Sequence, residues 1–441
     1  MNHPLGIRHE DKYEQERRAP LTPEVVRRLI REENLSITVE ASEQRIFPDR
    51  EYGDAGARIA PDLADCPVIF GVKEIPLDAV EHGKTYVFFS HVTKGQPYNM
   101  PMLKRMMELE CSHIDYERIS DEKGRRLIFF GRFAGLAGMI DSVWSLGERW
   151  ARAGYETPFT AIQQSLRYSS LAEAKAAVAE AGRRIAVEGL PVALGPVTIG
   201  FTGYGNVSKG AQEIAELLPL KRVAPADLLS LEQDGNADRR SIYATVFEEK
   251  DLVERTDGQP FDCTDYYENP QAYRSVFRRY LPHLTVLMNC MYWDERYPRI
   301  VTRDDVCRLS REGPLKLTVI GDITCDPGGS IEIMHRSTTL DDPVYVVDPQ
   351  SLASRPGFDG EGILVMAVDI LPSELPRDSS EAFSEALSPF VRAVAEADFS
   401  MPTDAIGLPD PLRKALILHR GRLTPEYAYL APFVQVDSMR V

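Results

Sequence analysis

The chain has 441 residues, enough for two or three domains, and the composition of a globular protein. A net charge of −16 argues against nucleic acid or an anionic membrane surface as the main partner. No apolar run approaches the roughly 18 residues of a membrane span, Met1–Arg18 is polar, and six scattered cysteines form no C-x-x-C pair. A cytoplasmic, reduced enzyme without a bound metal is expected.

In chain order, Thr22-Pro23-Glu24 opens a helix: a capping hydroxyl, a proline suited to the first turn, and an acid at the positive end of the dipole. Val25, Val26, Leu29 and Ile30 continue it, and Ser36–Glu40 alternates as a strand. Three strand-like runs follow: Cys66–Val72 leading to Lys73-Glu74, Thr85–Ser90 leading to His91, and Ser112–Tyr116 leading to Glu117. Buried strands alternating with helices imply a parallel sheet covered on both faces, with ligands beyond the strands' carboxyl ends. Lys73, His91 and Glu117 fall there. Arg18, Arg125 and Arg126 are the candidate anion sites, and Arg126 opens a further β-like run, Leu127–Phe130.

Gly131–Gly147 predicts a close-packed helix carrying the chain from a first domain to a second. Ser170–Ala181 predicts a helix ended by Gly182. Val197–Phe201, the glycines Gly203, Gly205 and Gly210, and a helical pattern from Ala211 then form strand, glycine turn and helix. That is the arrangement that offers backbone N–H groups to a dinucleotide pyrophosphate. Ser208 stands where the third glycine of G-x-G-x-x-G is usual.

The next strand, Lys221–Ala224, ends without an acid for a ribose 2′-hydroxyl. Lys221 and Arg222 suit a 2′-phosphate, so NADP(H) is the expected cofactor, with NAD(H) the alternative. Residues 233–279, polar and rich in Tyr and Asp, read as an insertion. Leu284–Cys290 and Leu317–Gly321 are buried strands, the second ending in Asp322–Glu332. Asp342–Asp348 and Gly362–Ile370 are β-like, and a helix over Ser379–Ala397 returns to the first domain. The expected fold is α/β, with two Rossmann-like domains and an active-site cleft between them. A substrate domain would span 1–138 plus 371–441, and a dinucleotide domain 139–370.

Eight stretches together carry a resemblance: Glu16–Pro23, Gly71–Glu74, Phe88–His91 with Lys94, Asp115–Glu117, Gly131–Ile140, Thr202–Ala211, Asp322–Glu332 and Val368–Pro372. In combination they resemble the lysine–ketoglutarate reductase domain of bifunctional α-aminoadipic semialdehyde synthases. They are similar, more distantly, to lysine-forming saccharopine dehydrogenase and alanine dehydrogenase. The resemblance implies reductive condensation of L-lysine with 2-oxoglutarate to saccharopine through an imine. It also implies a separate saccharopine-oxidising enzyme and is compatible with a homo-oligomer.

By the same resemblance Lys73 and His91 are the acid–base pair. Arg18, Gln96, Arg126, Phe130, Glu117 and Asp326 surround the substrate. Arg125, Gly205, Asn206, Asn289, Met291, Tyr292, Asp322 and Ile323 fall where the family binds dinucleotide; Gly203, Val207 and Ser208 of the glycine turn, and Arg222 of the strand after it, are expected beside them. Two alternatives stand beside it: another imine or amino-acid dehydrogenase, and a non-catalytic dinucleotide-binding subunit.

Overall fold

The structure, a computed structural model, describes residues 3–231, 237–313 and 315–435. The chain divides into two compact units, residues 1–130 with 376–441, and residues 131–375. These boundaries differ from the expected 138/139 and 370/371.

In the first unit, β1 (Leu5–Ile7), β2 (Ile37–Glu40), β3 (Arg58–Ala60), β4 (Val68–Phe70), β5 (Thr85–Phe88) and β6 (Ser112–Asp115) pair in parallel in the order 3-2-1-4-5-6. Every residue of β1, β4, β5 and β6 is buried, as two covered faces demand. Strand order reverses beside β1, so the chain beyond β1 and β4 borders the crevice where such sheets bind ligands. Lys73 lies there. The returning segment adds Leu416–His419 antiparallel to β6, with Arg422–Leu423 outside it.

Helix α1 (Pro23–Glu33) starts on Thr22, whose hydroxyl accepts from Val25 N, and stops at Asn34 in the left-handed region at φ 54°. The helix Pro376–Glu396 fixes the loop before α1: Ser380 Oγ accepts from Ala19 N (3.0 Å) and Ser384 Oγ from Thr22 N (2.9 Å).

The run Leu127–Phe130 is not a strand. The edge of β6 it would need is taken by Leu416–His419, and only an isolated bridge joins Arg126 to Ser120.

In the second unit the sheet runs from an outer strand, β8 (Leu220–Arg222), through β9 (Ile242–Phe247) to β7 (Val197–Thr202), then to β12 (Val286–Asn289) and β13 (Val319–Asp322). A small hairpin of β10 (Val253–Arg255) and β11 (Tyr273–Ser275) stands apart from it. Beyond β13 lies β16 (Ile363–Met366), parallel; β14 (Val344–Val347) and β15 (Ser354–Pro356) close that edge antiparallel.

Two expectations are corrected here. Ile242–Phe247, inside the expected insertion, belong to the main sheet: β9 is a buried interior strand in register with β7 from Val197↔Ile242 to Thr202↔Phe247. The polar segments on either side mask its short apolar run; residues 233–236 lie outside the described residues. Lys221 and Arg222 belong to the edge strand β8 and not to the neighbour of β7. Lys221 pairs with Asp238, and Arg222 with Gln212 and Glu216.

The helix Gly131–Arg152 packs against the helix that follows β7, Asn206–Ala215. A Cβ on Gly135 would collide with the Val207 carbonyl oxygen, and one on Gly210 with that of Arg132. Gly210 thus provides the close helix approach usually given by the third glycine of the turn. The helix expected to end at Gly182 runs over Leu171–Glu188. Gly182 is interior, placed where a Cβ would strike Leu217. The terminator is Gly189, at φ 73°, whose N–H donates to Ile185 O.

Candidate active site

The loops after β1, β4 and β5 gather a charged cluster. Glu10, beyond β1, accepts from Val72 N (2.7 Å) and Lys73 N (2.8 Å), clamping the backbone that carries Lys73. Burial pushes the Glu10 carboxyl up to about 6. Burial, and after it the neighbouring Arg18 guanidinium, hold the Lys73 ammonium below its usual value.

Glu74 Oε1 lies 2.8 Å from His91 Nδ1, and its Oε2 lies 2.7 Å from Lys12 Nζ. Burial raises the Glu74 carboxyl, but His91 and Lys12 outweigh it and hold it at about 2. His91 sits at φ 50°, a conformation uncommon outside glycine, and the loop is tied by Asn99 Nδ2 donating to Ser90 O (2.8 Å). With Nδ1 committed to Glu74, the Nε2 face is the one left for proton exchange.

Arg18 is buried and forked onto Glu16, with Nε and Nη2 donating at 2.8 and 2.6 Å, so Nη1 stays outside that pair. Its guanidinium lies 4.4 Å from the Phe130 ring centroid, and Phe130 stacks on Phe383 at 4.5 Å. Arg126 is half-exposed and pairs with Glu117 beyond β6. Arg125 pairs with Asp121 in the preceding turn. Gln96 leads into the short turn Pro97–Asn99.

In the second unit, Gly203 takes φ 78°, which only glycine adopts without strain. Gly205 precedes the helix Asn206–Ala215, which has no side-chain cap, and a Cβ on it would meet no atom within 4 Å. Asn206 and Val207 open that helix with Ser208 buried in its first turn. The N-terminal N–H groups and the space above Gly205 fit a dinucleotide pyrophosphate.

The Asn289 side chain is committed to internal partners. It is buried and saturated, with Nδ2 on Asp322 Oδ1, Thr324 Oγ1 and Ser330 Oγ, and Oδ1 accepting from Thr202 Oγ1. It ties the ends of β7, β12 and β13 together. Asp322 is buried within the same network, and burial pushes it up to about 6. Ile323 packs toward Gly138, and Asp326 opens the turn closed by Gly329 N.

Met291 and Tyr292 line a cavity of about 300 Å³ together with Gly203, Gly205, Tyr267 and Glu249. Among the described residues no cluster of His, Cys, Asp and Glu could hold a metal, and no helix is long and apolar enough to cross a membrane.

Sequence reasoning missed Glu10, Glu16, Lys12, Glu74 and Glu249 as parts of these sites. Glu16 and Glu74 stood inside the diagnostic stretches. Nothing in one sequence pairs Glu10 with the backbone of Lys73.

Two α/β units, one with a charged cluster at its switch point and one with a glycine turn shaped for a dinucleotide, are the layout of a nicotinamide-dependent dehydrogenase fold. The chain belongs to the alanine dehydrogenase/PNT family, whose N-terminal domain matches residues 6–137 and whose C-terminal domain matches residues 285–426. It is 40% identical to α-aminoadipic semialdehyde synthase of Arabidopsis thaliana over 97% of the chain and 41% of that protein. It is 36% identical to the mitochondrial enzyme of Bos taurus over 97% of the chain and 47% of that protein. The chain thus spans less than half the length of these relatives. Saccharopine dehydrogenase [NAD(+), L-lysine-forming] of Emericella nidulans is 28% identical over 85% of the chain and 88% of that protein. An L-alanine dehydrogenase structure matches with a TM-score of 0.61 at 19% identity, covering 98% of the chain and 99% of its own.

Proposed function

We propose that the protein condenses L-lysine with 2-oxoglutarate reductively to saccharopine, using a reduced nicotinamide dinucleotide, in lysine catabolism. The observation that carries this reading is the pairing of a depressed Lys73 ammonium with a Glu74-anchored His91 at adjacent strand ends. The names of the relatives over nearly the whole chain support the choice of substrates.

Lysine's amine must lose a proton before it attacks the keto carbon, and the carbinolamine hydroxyl must then be protonated and leave as water, giving the imine that is reduced. A lysine whose ammonium is weakened by burial and a carboxylate-anchored imidazole suit those two transfers. Arg18, and Arg126 on releasing Glu117, suit the substrate carboxylates, with Phe130 flanking Arg18. Gln96 and Glu117 border the same loops, and Asp326 is assigned a lesser part. When bound, the dinucleotide supplies the hydride. The glycine turn, the first turn Asn206-Val207-Ser208, Met291, Tyr292 and Ile323 hold it, and Asn289 and Asp322 brace the strand ends behind. NADP(H) selection through Lys221 and Arg222 has no support left, since both sit on the outer strand. Arg125 is engaged by Asp121, and Arg222 by Gln212 and Glu216.

The reverse direction, NAD⁺-dependent and lysine-forming, is a second reading. It is favoured by the fungal relatives that align over most of their length. Product analysis tests both: a condensation product that forms only when lysine, 2-oxoglutarate and reduced dinucleotide are all present supports the reading. Equal turnover with unrelated amines and keto acids would replace it with a general imine dehydrogenase.

A further inference from the structure

We infer that Glu249 accepts the adenosine-ribose hydroxyls and makes the site selective for NAD(H) over NADP(H). The inference rests on the dinucleotide reading above and adds to it the residue that chooses the cofactor.

In a doubly wound sheet, the acid that takes the ribose 2′-hydroxyl ends the strand beside the one leading into the glycine turn. Here the strand beside β7 is β9, although β8 comes next in sequence. β9 ends at Phe247, and Glu248 and Glu249 follow. The two acids are used differently. Glu248 caps the short helix Glu249–Leu252 reciprocally with Asp251 and pairs with Lys250 (2.7 Å). Glu249 instead lines the 300 Å³ cavity beside Gly203 and Gly205.

Two phenols fix Glu249. Tyr267 OH donates to Oε1 at 2.6 Å, and Tyr204 OH lies 3.2 and 3.3 Å from the two oxygens. Tyr204 belongs to the glycine turn itself, so the carboxylate is bound to the element that would carry the pyrophosphate. The rest of the wall is apolar and aromatic, including Met291 and Tyr292, as an adenine face requires. None of the described residues lining the cavity is basic. A ribose diol meets a ready acceptor there, whereas a 2′-phosphate meets a fixed negative charge with no cation to offset it.

Calorimetric titration of the purified protein with NADH, NADPH, ADP-ribose and 2′-phospho-ADP-ribose tests this without turnover. The wild type is expected to bind NADH and ADP-ribose at least about tenfold more tightly than their 2′-phosphorylated counterparts. Glu249→Ser should narrow that ratio by about tenfold or more, and Tyr267→Phe should narrow it less. Wild-type binding of the phosphorylated ligands that equals or exceeds the unphosphorylated ones overturns the inference, whether or not the variants fold. So does a ratio unchanged in a folded Glu249→Ser protein. Binding of none of the four ligands removes the dinucleotide reading itself, and this inference with it.

Discussion

Glu74 and His91 face each other across two adjacent loops, carboxylate oxygen to Nδ1 at 2.8 Å, while Lys12 holds the other oxygen. The carboxylate fixes both the imidazole's orientation and its tautomer. Glu74→Gln should keep the fold and lower turnover by about tenfold or more, with a smaller change in KM. Steady-state kinetics beside a thermal melt would show this. Unchanged turnover in a folded variant would leave His91 without an anchoring partner of any consequence.

Lys73 and His91 are assigned the proton transfers and not the dinucleotide. Lys73→Met and His91→Gln are therefore each expected to cut turnover by about 10²-fold or more. Their affinity for reduced dinucleotide should stay within about twofold of wild type, read by titration calorimetry. A variant that turned over at the wild-type rate would strike that residue from the chemistry.

Two glycines separate packing from ligand approach. Gly135 is the point where two helices of the second unit touch, and a methyl there would overlap Val207 O. Gly135→Ala should cost about 1–3 kcal/mol of stability by overpacking. Gly205→Ala meets open space and should change stability by less than about 0.5 kcal/mol. It should nevertheless weaken dinucleotide binding, because the methyl occupies the approach to the helix N-terminus. Urea midpoints and binding titrations on the two variants would distinguish these effects. Equal loss of stability in both would refute the division.

Glu10 gives a pH signature. Its carboxyl is raised from the usual 4.5 to about 6 in the folded state, so the folded protein holds this proton more tightly than the unfolded chain. The stabilisation is present below about pH 4.5 and is lost as pH rises through 6. The shift corresponds to about 2 kcal/mol. Glu74 acts oppositely: its contribution is present above 4.5 and is lost as pH falls toward 2. Glu10→Gln should flatten the stability profile between pH 4.5 and 6 relative to wild type, measured by urea unfolding at several pH values. Parallel profiles would show that Glu10 is not protonated in that window.

The first unit was largely legible because its strands are short and mostly buried, and β4 and β5 are followed within three residues by Lys73 and His91. Lys73 and His91 could be placed at strand ends by that pattern alone. The glycine turn was legible for the same reason. What misled was strand order, which hydrophobic periodicity does not encode: β8 follows β7 in sequence, but β9 lies beside it in space. That swap placed Lys221 and Arg222 next to the cofactor on paper and hid Glu249 in a stretch read as an insertion. Asn289 misled differently, since an amide at a strand end can face either a ligand or the protein, and here four internal partners claim it.

The central claim is a reaction, and the absorbance of the reduced nicotinamide follows it directly. With lysine, 2-oxoglutarate and enzyme together, NADH should be consumed, with NADPH consumed more slowly, and the product should have the mass of saccharopine. Omission of either substrate should stop the loss. No consumption with both substrates present, or consumption that continues without lysine, would contradict the account.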